Sequence, residues 1–456
     1  MENYGLSDSL HRLVKQAVDS GEASSIAEAE AMFRRYTLTF EIGKTEAGDP
    51  LHQGALLTGV ALARRVFLGG VAVTGAVESL LQVPLPLGKT LAEAVAALGG
   101  AVGGGESGGP VISIGGGPRP RTQGFHVRTV SAGWRGGIVP GHSELFPLPG
   151  PAMPLAAMLS AALGVNEAFT YVGRQSGAAG RRAVGLSLWR PGAGANWLGD
   201  NAGEPELQYL PSKLWLIGLG HLGQGYLWAL GMLPYRQDFG VLLVLQDVDL
   251  VTPSTESTGV LCDQTTIGQL KTRVIAAWAE KRGFSTRIYE RLFDGSFQRH
   301  PDEPAVALCG IDNGLGRRAL DQVGFGFVVE AGLGHGYQNF RSIRLHTLPG
   351  SRPASDLWKG TDQDAVEDVA GRAAYRDMVA KGELDRCGVT VLAGKAVGAP
   401  FVGAVAACLG ISEILRLLHG GTLHSVVEMD LQGVEHRVAV SRDGLDGFNP
   451  GYVPAA

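Results

Sequence analysis

The sequence predicts an α/β protein made of two halves of similar build. Two observations carry that expectation. The first is a β–α–β unit in the second half. Lys213 to Ile217 is a short apolar run, Gly218-Leu-Gly-His-Leu-Gly223 follows as a turn, and Gln224 to Met232 reads as helix. Val241 to Leu245 is a second apolar run, ending in Gln246-Asp247-Val248-Asp249. Short apolar runs bounded by turn residues and joined by a helix read as strands buried on both faces of a parallel sheet. The second observation is an internal repeat. Pro154-Leu-Ala-Ala-Met-Leu-Ser-Ala-Ala-Leu-Gly-Val-Asn-Glu167 aligns without gaps to Pro400-Phe-Val-Gly-Ala-Val-Ala-Ala-Cys-Leu-Gly-Ile-Ser-Glu413. Each copy opens with a proline at its first turn, where a missing N–H costs nothing. Each is followed by a strand-like segment, Val184 to Trp189 and Ser425 to Met429. Compositional likeness of two Ala/Gly-rich buried helices is the plain alternative to duplication.

The remaining elements follow in order. Ser7 to Arg35 reads as helical, with Ser25 capping the Ala- and Glu-rich run from Ile26 to Arg35. Thr37 to Gly43 is strand-like, Leu56 to Val77 is apolar, and Gly103 to Gly109 is a loop. Val111 to Ile114 and His126 to Val130 have strand character, and Gly199 to Pro211 is polar and turn-rich, as a linker would be. The predicted divisions are 1–36 helical segment, 37–200 first domain, 201–443 second domain with an insert at 355–395, and 444–456 tail.

Bulk properties narrow the function. The chain has 456 residues, of which 45% are hydrophobic and 18% charged, so it is globular rather than disordered. A net charge of −5 without a clustered positive stripe argues against nucleic acid. The first residues are charged and lack an apolar signal core, and the longest uncharged stretch, Ala396 to Ser412, is short for a bilayer and broken by Gly398, Pro400, Gly403 and Gly410. A cytoplasmic protein with no membrane partner is expected. Cys262, Cys309, Cys387 and Cys408 form no CxxC pair, so neither structural zinc nor a disulfide framework is expected.

The chemistry concentrates after Lys213. Gly218, Gly220 and Gly223 permit a tight strand-to-helix turn whose backbone N–H groups face an anion at the helix N-terminus, as in Rossmann-like nucleotide sites. Asp247, at the end of the next strand, is placed to hydrogen-bond ribose hydroxyls. These features suit NAD and ATP alike.

The residues that follow separate the two. The segment from Asp247 to Lys271, with its acidic pair Asp247 and Asp249 and its Ile267-Gly-Gln-Leu-Lys271, resembles the hallmark stretch of the E1/ThiF/MoeB superfamily. Cys309-Gly-Ile-Asp312-Asn313 resembles the family's "D-N" strand end, with Arg317 and Arg318 after it. Gly398-Ala-Pro-Phe-Val-Gly-Ala-Val resembles the family's interface helix. The resemblance covers Lys213 to about Gln432. It implies two Rossmann-like adenylation halves in one chain, forming an internal pseudo-dimer with the first half inactive. That half shows no IG-x-x-K and no D-N strand end. Single-chain E1 enzymes of bacterial ubiquitin-like conjugation operons, some acting in phage defence, are most similar.

Site roles come with the resemblance. It implies that Lys271 contacts the phosphates of ATP, Asp312 holds Mg2+ with Asn313 beside it, and Asp247 and Asp249 bind the nucleotide. Asp312 as a helix cap is the structural alternative. The implied reaction is adenylation of the C-terminus of a ubiquitin-like protein, then thioester formation and transfer to an E2-like enzyme. Cys387 is the thioester candidate, with Cys262 next, while Cys309 and Cys408 fit structural positions. The family's lid reads S-N-x-x-R-Q; here Thr255 and Thr258 replace the Asn and Arg, and Gly259 the Gln. Losing that arginine removes phosphate-site charge. Arg34-Arg35-Tyr36 resembles the segment that reaches across the family's two-fold axis, so Arg34 or Arg35 is the candidate replacement, with a basic pair favoured by the helix dipole as the plain alternative. Three rivals stay open: a non-catalytic pseudo-E1 scaffold, favoured by Thr258; an NAD-dependent oxidoreductase, which leaves Lys271 and Asp312 unexplained; and sulfur-carrier activation.

Overall fold

The computed structural model describes residues 5–104, 108–120, 124–194, 196–201, 203–236, 239–359, 370–381, 384–445 and 447–456, without the side chains at 373, 386 and 387. The first half folds around a seven-stranded sheet: β1 (Thr37–Ile42), β2 (Gly70–Gly75), β3 (Ala101–Val102), β4 (Val111–Ile114), β5 (His126–Ala132), β6 (Arg135–Pro140) and β7 (Val184–Ser187). Their order is β3-β2-β1-β4-β5-β6-β7. The second half begins with β8 (Tyr209–Pro211). Its sheet comprises β9 (Lys213–Ile217), β10 (Leu242–Gln246), β11 (Ser285–Tyr289), β12 (Val306–Cys309), β13 (Phe327–Leu333), β14 (Ser342–Leu348), β15 (Leu423–Asp430) and β16 (Val438–Arg442). The order β11-β10-β9-β12-β13-β14-β15-β16 repeats the first wiring with one strand added.

Both sheets are parallel through their first five strands and antiparallel beyond. All four residues of β12, and all but the first of β9, are buried, as two-sided coverage by helices demands. In each sheet the chain runs outward from the first strand to one side and then returns to its other side. That reversal leaves a crevice at the C-terminal strand ends, where ligands of doubly wound folds bind.

The repeated helices, Pro154–Val172 and Pro400–Leu418, join the halves. Both are long and apolar enough to cross a membrane, and 89% of each is buried inside the protein. Phe169 and Phe401 meet with ring centroids 5.8 Å apart. Polar contacts fix the register: Asn166 Nδ2 donates to Leu431 O at 3.0 Å, Arg341 Nη1 to Thr170 Oγ1 at 2.7 Å, and Arg437 Nε to Pro191 O at 2.7 Å. The shared Glu of the repeat has a common duty. Glu167 accepts from Gly180 N and Glu413 from His424 N, each tying its helix to the strand side of its own half. One apolar core therefore runs through both halves.

The N-terminal stretch read as one helical run is broken at Gly21, whose φ of 81° ends the helix Arg12–Ser20. Ser25 caps Ile26–Phe33 by accepting from Glu28 N at 3.2 Å. The chain's end is not merely a tail: β17 (Tyr452–Pro454) pairs antiparallel with β8, which lies inside the stretch read as linker.

At the crevice of the first sheet, the space beside Gly115 is filled. A Cβ on Gly115 would lie 2.3 Å from His52 Nε2 and 3.1 Å from Glu46 Cγ. His52 is in turn paired with Asp49, which caps the helix Pro50–Ala63.

Candidate nucleotide site

At the crevice of the second sheet the structure opens a cavity of about 460 Å³. It is lined from the ends of β9 (Gly218, Gly220), β10 (Gln246 to Asp249) and β12 (Gly310 to Asn313), with Lys271, Arg317 and His335. The three glycines do different work. Gly218 has φ of 82°, a left-handed turn that an L side chain rarely adopts. A Cβ on Gly223 would sit 2.0 Å from the Gly218 carbonyl oxygen, so glycine lets the helix His221–Met232 press against the turn. Gly220 meets nothing within 4 Å and leaves its side of the cavity open.

Asp247 holds this loop in place. Its Oδ2 accepts from Leu219 N at 2.7 Å and its Oδ1 from Asp249 N at 2.8 Å. Lys271, the first residue of the helix Lys271–Arg282, points its Nζ at Asp249 Oδ2, 2.8 Å away, with Asp247 Oδ1 at 3.9 Å. The Asp249 carboxylate is 65% exposed, so Lys271 has a solvated partner that it can leave.

Across the cavity, Asn313 caps the helix Gly314–Arg318 by accepting from Leu315 N at 2.9 Å. The cap duty therefore falls to Asn313. Asp312 is exposed, and its carboxylate has no hydrogen bond or ion pair among the described residues. Behind it, Arg317 Nε lies 2.9 Å from Glu330 Oε1, a carboxylate with side-chain exposure of 1%. His221 lines the cavity, but its ring is wedged against the interface helix: a Cβ on Gly403 would lie 2.4 Å from Nε2. Burial pushes this imidazole down to about 4, so it is neutral and no phosphate cation.

The lid, residues 252–262, packs onto the glycine-loop helix. Gln224 Nε2 donates to Leu219 O at 3.2 Å, and its Oε1 accepts from Leu261 N at 2.9 Å, so one side chain ties lid to glycine loop. Thr255 Oγ1 is 3.0 Å from Thr252 Oγ1, and Thr258 is buried; neither carries charge. A cation does arrive from elsewhere. Arg12, on the first turn of the helix Arg12–Ser20, bonds to Ser254 Oγ at 3.0 Å through Nη2 and to Ser257 Oγ at 3.2 Å through its backbone N. Its Nη1 is buried without a hydrogen-bond partner. Burial lowers its pKa, while the Asp8 and Asp312 carboxylates oppose that shift. Sequence reading missed this residue: a lone arginine in a helix, 245 positions from its hydroxyl partner, has no local signature.

Residues 37–188 match the family described as BilD N-terminal domain, and residues 210–421 that described as BilD C-terminal domain. The chain is 44% identical over 413 residues to the bacterial E1-like protein BilD of Collimonas sp. (strain OK412), covering 90% of this chain and 89% of that protein. The chain belongs to the BilD family. Among solved structures, E. coli MccB matches with a TM-score of 0.35 at 13% identity, over 51% of this chain and 63% of that one. MccB with ATP matches at 0.34 and 15%, over 51% and 65%. Both matches span less than two thirds of the MccB chain.

In this BilD-family protein the remaining sequence candidates fall as follows. Arg35 does not line the cavity. It is exposed and sits two residues before β1, at the N-terminal end of a strand in the other sheet, whereas the cavity lies at C-terminal strand ends. Arg34 pairs with Glu30 on the surface. Arg12 bonds to the lid hydroxyls of Ser254 and Ser257 and, like Arg35, is not among the residues that line the cavity. Cys387 falls on the first turn of the helix Arg386–Gly394, capped by Asp385; its side chain lies outside the described residues. Cys262, Cys309 and Cys408 are buried. Burial pushes the Cys309 thiol up to about 12 and raises Cys262 and Cys408 as well, so all three are poor nucleophiles.

Proposed function

We propose that this E1-like protein uses ATP to adenylate the C-terminal carboxylate of a ubiquitin-like protein, in the cavity of its second half. The observation that carries the reading is the pairing of an uncommitted carboxylate, Asp312, with a releasable cation, Lys271, across a glycine turn at the sheet's crevice. In the reaction a carboxylate oxygen attacks the α-phosphorus and pyrophosphate leaves with its charge. Glycine-loop N–H groups and the helix N-terminus hold the phosphates. Lys271 exchanges Asp249 for phosphate oxygen. Asp247 keeps the turn in shape and offers its free lone pairs to ribose. Asp312, free because Asn313 caps, is fit to hold Mg2+, which supplies positive charge to the leaving pyrophosphate. Arg12 adds the charge that Thr258 lacks. In this reading the first half is inactive, supported by His52 and Glu46 occupying the space beside Gly115.

Two further steps belong to the same proposal. Cys387, at a helix N-terminus that favours thiolate, attacks the acyl carbon of the adenylate, and AMP leaves as the thioester forms. An E2-like enzyme then takes it, in the cytoplasm. A second reading, a scaffold that binds carrier or E2 without turnover, is favoured by the lack of a lid cation at Thr258.

Thermal shift with Mg-ATP against NAD, on wild type and Asp312→Ala, tests the core of it. Stabilisation by Mg-ATP alone, lost in the variant, is the expected result. Stabilisation by NAD, or by neither, refutes it. With a ubiquitin-fold carrier ending in glycine, ATP–pyrophosphate exchange separates enzyme from scaffold. A Cys387→Ala protein that still forms a reducible conjugate removes Cys387.

A further inference from the structure

The first half reaches the lid of the nucleotide site from the C-terminal end of its helix Pro50–Ala63. Arg65, just beyond that helix and 3% exposed, sends its guanidinium into the lid of the other half. Nε donates to Glu256 O at 3.1 Å and Nη2 to Cys262 O at 2.8 Å, while Nη1 returns to Ala61 O at 2.6 Å. The two lid carbonyls lie on either side of Thr258 and Gly259, so Arg65 spans the part of the lid that lacks its own charge. Arg64 adds an ion pair to the Glu256 side chain.

His11, at the N-terminus of the Arg12 helix, is buried near Arg65. His11 Nδ1 accepts from Leu13 N at 3.2 Å, capping the helix that begins with Arg12. Burial pushes the His11 imidazole down to about 4, so it is neutral. Arg65 thus holds the lid with its side chain, and the lid hydroxyls in turn hold the Arg12 helix. Arg12 itself spans the same two parts through Ser254 and Ser257.

We propose that Arg65 is a positioning residue for adenylation: it locks the lid of the second half in one geometry, so that Ser254 and Ser257 hold Arg12 in place. This rests on the adenylation reading above. Guanidinium geometry matters, because a lysine ammonium has one centre and cannot bridge three carbonyls held in different directions.

The test is a double-mutant cycle on the full chain, with Mg-ATP affinity measured by calorimetry for wild type, Arg12→Ala, Arg65→Lys and the double variant. If Arg65 acts through Arg12, Arg65→Lys weakens binding about tenfold and the double variant is no weaker than Arg12→Ala alone. A general loss of stability would instead lower the melting temperature and weaken binding additively; additive effects overturn the proposal. If wild type binds no Mg-ATP, the adenylation reading falls first. Should Arg65→Lys not fold, hydrogen exchange on the wild-type protein decides. Mg-ATP must slow exchange at 256–262 and around Arg65 together with the glycine loop; protection of the glycine loop alone overturns the proposal.

Discussion

Replacing Lys271 with Met removes a cavity-lining cation whose partner is solvated. In the unliganded protein Lys271 Nζ is 2.8 Å from Asp249, whose carboxylate is 65% exposed. Such a pair is worth about 0.2–1 kcal/mol. A unit charge about 4 Å from phosphate, at an effective dielectric of about 20, is worth about 4 kcal/mol. Exchanging the first for the second leaves about 3 kcal/mol, or about 100-fold in affinity. Mg-ATP affinity measured by calorimetry should therefore fall about 100-fold in Lys271→Met. The unliganded melting temperature should fall by no more than about 3 °C, because Asp247 keeps both of its backbone donors. A dissociation constant within threefold of wild type would refute the role, as would a collapsed melting temperature, which would make Lys271 a structural ion-pair partner.

Three further outcomes are expected. Asp249→Asn should leave Mg-ATP affinity within a few-fold and the melting temperature unchanged, since it frees Lys271 from an exposed pair; a 100-fold loss would make Asp249 a direct ligand. Gly220→Ala should fold normally and lose nucleotide-induced stabilisation. Gly223→Ala, whose Cβ meets backbone at 2.0 Å, should be destabilised by about 1–3 kcal/mol by chemical denaturation; equal behaviour of the pair would contradict the loop geometry. Acid should destabilise the fold above the carboxylate range. Burial holds His11 and His221 down to about 4, against about 6.5 in the unfolded chain, so the unfolded state takes up protons first and stability falls as pH drops from about 6.5 to 4. A flat melting temperature from pH 7 to 5 would show that neither histidine is buried neutral.

Local order was legible where the signal is local. The strand Lys213 to Ile217 and the Ser25 cap coincide with the observed elements, because apolar runs and capping side chains act within a few residues. The repeat around Pro154 and Pro400 announced the pair of interface helices, and its shared Glu proves to anchor each helix to its own half. Arg35 misled because the Arg-Arg-Tyr likeness is a local string, whereas reaching a site depends on where the strand after it lies. Arg12 and Arg65 were invisible for the converse reason: their partners lie about 190–245 positions away, and a buried arginine bonded to backbone carbonyls leaves no pattern at the accepting residues. Asp312 and Asn313 show the same limit at short range. Either suits a cap, and only the observed bond to Leu315 N assigns it.

Covalent continuity between the halves has a kinetic consequence. In a symmetric enzyme assembled from separate subunits, the lid clamp and the incoming arginine would arrive by association, and activity per molecule would fall on dilution below the dimer's dissociation constant. Here Arg12, Arg65 and the cavity belong to one polypeptide, so their encounter is intramolecular and its effective concentration is fixed by the fold. Specific activity should therefore be independent of protein concentration down to the lowest concentrations assayed, and a cell holding only a few copies would have the same activity per molecule as one holding thousands.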